Sequence, residues 1–298
     1  MAIYQLIFRL HILSFFTFIT RSHTTKDKIL MMRQYNIDIF RDTLNYIKES
    51  KTLSNGVNQS IKNTIFYDED NYPLKDIVNN KEGIISVTKH RSFEASTILK
   101  KQYPNKRIGV LNFASATNPG GGVQYGSSAQ EESLCRCSNL YSVLITDDLF
   151  NKYYGPNRKI NNPLHNDGVI YTPDILICKD DTNYPNKLDE SDFINVDVLS
   201  CAAPDLSDLR GESISDEQLY HLHVKRAEHI LNIALFHNID ILVLGAFGCG
   251  VFKNDPYIVS KAFKKALEKY HKAFDVVEFA IYTSFDESNY IAFKSNLK

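Results

Sequence analysis

The sequence predicts a three-layer α/β fold around a largely parallel sheet, and three observations carry that expectation. Strand-like and helix-like segments alternate over most of the 298 residues, the pattern of parallel strands joined by helical crossovers. Strand candidates such as "RIGVLNFAS" and "IDILVLGAFGCG" are nearly continuous apolar runs, as strands covered on both faces are. No internal repeat, low-complexity segment or linker interrupts the chain after residue 80. One domain is expected over residues 31–298, after an N-terminal extension over residues 1–30.

That extension contains "IYQLIFRLHILSFFTFIT", apolar but interrupted by Arg9 and His11. Its clean run, Ile12 to Ile19, is far shorter than the roughly 20 residues a membrane helix needs. Three readings stay open: a mis-assigned start or disordered extension, a targeting signal or anchor, and a part of the fold. A confident membrane association is not among the expectations.

From Arg33 the chain reads as a helix, with Ile37, Phe40, Leu44 and Ile47 on one face. Residues 51–80 are polar and read as loop, with an extended piece at Thr64 to Tyr67. "GIISVTK" is a strand, and "SFEASTILKKQ" a helix with Ser92 as N-cap. "RIGVLNFAS" is a buried strand, followed by a glycine loop and a helix from about Ala129 through Leu144. Asn151 to Asp167 reads as loop. "GVIYTPDILIC" suggests two short strands broken at Pro173, and "FINVDVLSCAAP" one more. A long helix follows, capped by Ser215 with Glu217 in its first turn. "IDILVLGAFGCG" is a buried strand running into a second glycine loop. A helix with Pro256 near its start, the strand "VVEFAIYTS" and a short helical segment complete the chain.

Composition narrows the function classes. Hydrophobic residues make up 43% and charged residues 23%, and the formal net charge is -1. Such a chain has ample core material but no basic field, which argues against non-specific nucleic-acid binding. An anionic ligand must then be held by local donors. The five cysteines, Cys135, Cys137, Cys178, Cys201 and Cys249, are odd in number, which argues against a disulfide framework and for reduced, intracellular thiols. Cys135 and Cys137 have no matching second pair, so no metal site is expected.

Both glycine loops follow apolar strands, and in an open α/β sheet ligands bind beyond the carboxyl ends of the strands. "NPGGG" (118–122) and "GCGVF" (248–252) are therefore expected at one edge, facing one ligand. Gly120, Gly121, Gly122, Gly248 and Gly250 let backbone N–H groups approach an anion such as a diphosphate. The alternative is a flexible surface turn for the first loop and a tight strand-to-helix turn for the second. Neither loop has the spacing of a Walker A or dinucleotide fingerprint. Gln130, Glu131 and Glu132 open the helix after the first loop. Acidic residues suit a first helical turn, and that capping role stands beside a chemical one. A carboxylate near a diphosphate has its pKa raised and can serve as a general acid, although the helix N-terminus acts in the opposite sense.

"NFASATNPGGG…AQEESLCRCSNLY", "SCAAPDL" and "LGAFGCGVFKNDP" together resemble the microbial-type, bacterial-like poly(ADP-ribose) glycohydrolases of the macrodomain superfamily. The resemblance covers roughly Arg33 to Lys298. It implies an α/β/α macrodomain with a mixed, largely parallel sheet and an ADP-ribose ligand whose diphosphate lies between the two loops, including Cys249 and Val251. It implies hydrolysis of the ribose–ribose O-glycosidic bond of poly(ADP-ribose), mainly from the chain terminus, without a cofactor. Glu132 would be the catalytic acid, while Glu131 and Asn118 would hold ribose hydroxyls. Phe252 would pack beside the terminal ribose, and Gln130 completes the signature. The implied partners are the polymer or an ADP-ribosylated protein, in the cytoplasm or the nucleus. A mono-ADP-ribosyl hydrolase and a non-catalytic ADP-ribose binder are the competing readings.

Overall fold

The computed structural model describes residues 24–211 and 213–297. The first helix, α1 (Thr25–Glu49), begins eight residues earlier than the sequence suggested. Thr24 and Asp27 form a capping box that starts it, so the expected boundary after residue 30 falls inside a helix. Readings that concern residues 1–23 lie outside the described residues. The polar stretch after α1 is not loop at its start: α2 (Lys51–Asn63) is capped by the Ser50 hydroxyl, which accepts from Leu53 N. Leu53 is fully buried and Val57, one turn later, packs against its cluster, so tertiary contact overrides a composition that reads as loop.

The remaining elements are β1 (Ile65–Tyr67), β2 (Ile84–Thr88), α3 (Ser92–Gln102), β3 (Ile108–Phe113), α4 (Gln130–Cys137) and α5 (Leu140–Leu144). A composite helical stretch, α6, runs through Asp147–Leu149, a π turn at Phe150–Tyr154 and Gly155–Ile160. Then come β4 (Val169–Ile177), β5 (Ile194–Cys201), α7 (Asp216–Phe236), β6 (Ile241–Leu244), α8 (Pro256–Tyr270), β7 (Val276–Ala280) and α9 (Ser288–Asn296).

Four local expectations are corrected. The residue at the N-cap of α3 is Arg91, with Ser92 first in the helix. The helix expected over Ala129–Leu144 is split, because Asn139 leaves it to exchange hydrogen bonds with Leu176 at the end of β4. The expected loop from Asn151 is helical as far as Ile160, anchored by the buried Tyr153 and Tyr154. Pro173 does not break its segment into two strands. β4 continues through a bulge between Thr172 and Ile175, where Asp174 N donates to Asp197 Oδ1 at 3.1 Å.

The sheet order is β1-β4-β5-β3-β6-β7-β2. The five strands β5, β3, β6, β7 and β2 are mutually parallel, and β4 and β1 add antiparallel to one side. The third dimension follows from side-chain alternation. Leu199, Leu242 and Leu244 enter one core with Ile230 of α7 and Phe263 of α8. Val198, Ile241 and Val243 point the other way, into a core with Phe93 of α3 and Leu134 of α4. Strands that bury both faces produce three layers.

One polar cluster ties the layers at the carboxyl end of β5. Arg226 of α7 is fully buried. It donates to Asp167 Oδ1 (2.8 Å), Ala202 O (2.7 Å) and Leu164 O (3.1 Å). Burial works against the Asp167 carboxylate, but Arg226 and Lys225 hold its pKa below the usual range. Arg226→Leu leaves that carboxylate buried without its main partner, so unfolding by denaturant is expected to lose about 3–5 kcal/mol. A loss under 1 kcal/mol would remove the cluster as a determinant of stability.

Candidate active site

β3 and β6 end side by side in the sheet, so the loops that follow them leave from one edge. A cavity of about 960 Å³ opens there. Its lining includes Asn118, Gly121, Gly122, Gln130, Glu131, Glu132, Gly248, Gly250, Val251 and Phe252. The sequence-nominated residues thus converge, with two exceptions: Gly120 packs behind the wall against Tyr141 and Cys135, and Cys249 is outside the lining.

The glycine loop is built around the two carboxylates. Gly122 N donates to Glu132 Oε1 at 2.9 Å, and Ser115 N donates to Glu131 Oε2 at 2.7 Å. Gly121 has φ +59°, and a methyl group placed on it would lie 2.5 Å from Glu132 Oε1 and 3.1 Å from Glu131 Oε2. Only glycine allows the backbone to cross both carboxylates this closely. Gly121 N is itself bonded to Asn118 O. The N–H groups expected to cradle an anion are therefore partly spent on the glutamates. Among the described residues, the N–H groups of Gly248, Gly250, Val251 and Phe252 have no hydrogen bond, and they supply the better anion cradle.

Both glutamates lie in the first turn of α4, where the helix dipole favours them, but neither caps it through a side-chain hydrogen bond at the N-cap. The N-cap of α4 is Ala129, without a side-chain hydrogen bond, and both carboxylates reach the preceding loop instead. Burial pushes the Glu131 carboxyl up to about 8 against its Ser115 and Asn112 hydrogen bonds, and the Glu132 charge adds to the rise. Glu132 is also buried, and its Oε2 has no hydrogen-bond partner among the described residues. The pair thus combines a carboxyl raised by burial, Glu131, with an unpartnered carboxyl oxygen, Glu132 Oε2, on a cavity wall.

Gln130 faces the cavity edge but its amide is occupied. Oε1 accepts from Phe113 N (2.9 Å) and Nε2 donates to Leu111 O (2.8 Å) and Ser92 Oγ (3.0 Å). It fastens α4 to the end of β3. Asn118 is exposed, its Oδ1 accepting from Arg158 at 2.9 Å.

Several residues on or behind the cavity wall escaped sequence reasoning. Asn112 is fully buried and donates to Glu131 Oε1 (3.3 Å) and Ser200 Oγ (3.0 Å). A lone amide inside an apolar strand was a signal for it. Asp181 is buried, accepts from Ser133 Oγ (2.8 Å) and Phe93 N (3.1 Å), and has its pKa raised by burial. Arg91 stacks over the Tyr282 ring at 3.8 Å. Nothing local in the sequence marks Asp181, Arg91 or Tyr282.

Asn254 organises the second loop. It is 2% exposed. Its Nδ2 donates to Pro204 O (2.7 Å) and Gly248 O (3.0 Å), and its Oδ1 meets His223 Nε2 at 2.8 Å. Gly248, at φ +77°, passes so near that a methyl there would lie 2.7 Å from that Nδ2. Asn254→Ala strands these groups, so KM should rise roughly tenfold with a smaller change in kcat. Steady-state kinetics check this; an unchanged KM removes Asn254 as the loop's clamp.

The five thiols are free. Among the described residues no group of three His, Cys, Asp or Glu side chains is placed to hold a metal, and no helix is long and apolar enough to cross a membrane.

Residues 37–180 match the family model for the catalytic domain of microbial-type poly(ADP-ribose) glycohydrolase. Among solved structures, the poly(ADP-ribose) glycohydrolase of Thermomonospora curvata superposes with TM-score 0.77 at 27% identity, over 89% of this chain and 100% of that one. Its complex with the inhibitor ADP-HPD matches at TM-score 0.77 and 27% identity, over 88% and 99%. A point mutant of the Deinococcus radiodurans poly(ADP-ribose) glycohydrolase in complex with ADP-ribose matches at TM-score 0.73 and 30% identity, over 82% of this chain and 97% of that one. Among curated proteins none matches the chain.

Proposed function

This chain belongs to the microbial-type poly(ADP-ribose) glycohydrolase family, and we propose from that premise that it hydrolyses the ribose–ribose O-glycosidic bond of poly(ADP-ribose), mainly from the terminus, releasing ADP-ribose. The observation that carries the residue assignment is the carboxylate pair on the cavity wall, with Glu132 Oε2 unpartnered. A cavity of about 960 Å³ has the size of a small-molecule site and room for one ADP-ribose unit.

In the proposed mechanism Gly248, Gly250, Val251 and Phe252 receive the diphosphate through backbone N–H groups, and the Phe252 ring packs beside the terminal ribose. Asn118 and Glu131 hold ribose hydroxyls. Glu132 gives a proton to the bridging oxygen, and the C1–O bond breaks with its electron pair going to that oxygen. The resulting oxocarbenium ion is stabilised by the diphosphate. Water attacks C1, and the Glu132 carboxylate takes the proton that water loses. A conventional pair of glycosidase carboxylates flanks the sugar from two sides, about 5 Å or more apart. Here both converge on Gly121, which favours one carboxylate acting twice.

Incubation with labelled poly(ADP-ribose) tests this reading. Free ADP-ribose is expected from the earliest times. Retained ADP-ribose binding with no release would make the protein a binder. Release from mono-modified protein alone would make it a mono-ADP-ribosyl hydrolase.

A further inference from the structure

A second cavity of about 330 Å³ lies against the first, and Ser115, Asn118 and Phe252 line both. Its other walls are the turn after α6, with Asn161, Asn162 and His165, and the segment Asp205 to Arg210. We propose that this pocket is the leaving-group subsite, where the ribose of the next polymer unit is held by hydrogen bonds while the scissile bond sits between the two cavities. The proposal rests on the glycohydrolase reading above.

Position is the first argument. Ser115 N holds Glu131 at 2.7 Å, so the residue that separates the cavities also touches the carboxylate pair. The carboxylates line the large cavity only, and a sugar held at them would reach the small one past Ser115, Asn118 and Phe252, which line both. Chemistry is the second. The walls carry amide, carboxylate, imidazole and guanidinium groups, which suit hydroxyls rather than a base. Burial and the Arg226 charge push the His165 pKa down to about 4, so at neutral pH the ring presents one donor and one acceptor. The Asn162 backbone is a hydrogen-bond partner of the ring, which leaves the second ring nitrogen to meet a sugar hydroxyl.

Preformation is the third argument. Arg226 fixes the turn from beneath by donating to Leu164 O at 3.1 Å. Arg210 spans the mouth, bonding Asn161 Oδ1 (3.0 Å) on one wall and Asp208 Oδ2 (2.9 Å) on the other. Of the six non-glycine residues with positive φ among the described residues, Asn161 (53°), His165 (56°) and Arg210 (54°) line this one pocket. Strain that tertiary structure maintains concentrates at functional sites.

The test compares two substrates in His165→Ala and Arg210→Ala: poly(ADP-ribose), and ADP-ribose linked through the same anomeric carbon to 4-nitrophenol, which has no second sugar. The ratio of their kcat/KM values is expected to fall about tenfold in favour of the nitrophenyl substrate, with ADP-ribose affinity retained. A ratio unchanged within twofold overturns the subsite, whether both rates persist or both decline. Arg210 is half exposed, so its variant keeps the test informative if His165→Ala folds poorly. Wild-type turnover of the polymer is the control that separates this failure from failure of the glycohydrolase reading.

Discussion

Glu132→Gln is expected to lower kcat on poly(ADP-ribose) by about three orders of magnitude, within the range that a positioned general acid contributes, while ADP-ribose still binds. Glutamine keeps an acceptor oxygen for Gly122 N, which Glu132 Oε1 engages at 2.9 Å, so the loop should stay in place. It removes the group that can give a proton and take one back. A capping glutamate behaves differently: its loss costs a few tenths to about 1 kcal/mol of stability and no turnover. The two roles therefore separate in a pair of measurements, single-turnover kinetics and a denaturation midpoint. Full activity with a lowered midpoint would return Glu132 to the helix terminus and sink the mechanism. Glu131→Gln is the informative companion. Glu131 is the carboxyl whose pKa burial raises to about 8, so a neutral amide there reproduces its charge state at neutral pH but not its fit to Ser115 N and Asn112 Nδ2.

Those contacts also mark where the sequence stops being readable. The near-continuous apolar runs of β3 and β6, with strand and helix segments alternating along the chain, were enough to anticipate a sheet covered on both faces and three layers. The glycine loops and the Gln-Glu-Glu segment were visible because they are local and unusual in composition. What the loop glycines do was not. The diphosphate was expected to lie between both loops, whereas Gly122 N is already committed to Glu132 and the N–H groups without a partner among the described residues lie in 248–252. That difference depends on α4 folding back against β3 through Gln130, a contact between residues 17 positions apart. Asn254 bridging to Pro204 spans 50 positions and Arg226 reaching Asp167 spans 59. Such side chains look like ordinary surface or core residues until the chain closes. α2 was missed although Leu53, Val57 and Ile61 recur at helical spacing, because the Ser, Asn and Gly residues between them give the segment the composition of a loop.

Gly121→Ala should lower kcat about a hundredfold, although it removes no functional group. Residue 121 sits at φ +59°, where a side chain costs roughly 1–2 kcal/mol. The larger effect is steric. The added methyl would be placed 2.5 Å from Glu132 Oε1 and 3.2 Å from Glu132 Cδ. Relief requires the loop or the carboxylate to shift by a sizeable fraction of an ångström. Neither has an easy route: Glu132 is buried and bonded to Gly122, while Gly121 N is bonded to Asn118 O at 2.9 Å. A displacement of about 1 Å at the reacting groups is enough to cost a hundredfold in rate. A fall in kcat of that order is expected, with a smaller change in ADP-ribose affinity, because the proposed diphosphate cradle lies on the other loop. Affinity falling as far as kcat would mean that the 118–122 loop carries the diphosphate after all. Turnover at the wild-type rate would mean that the carboxylates tolerate displacement, and the close crossing of Gly121 would lose its catalytic meaning.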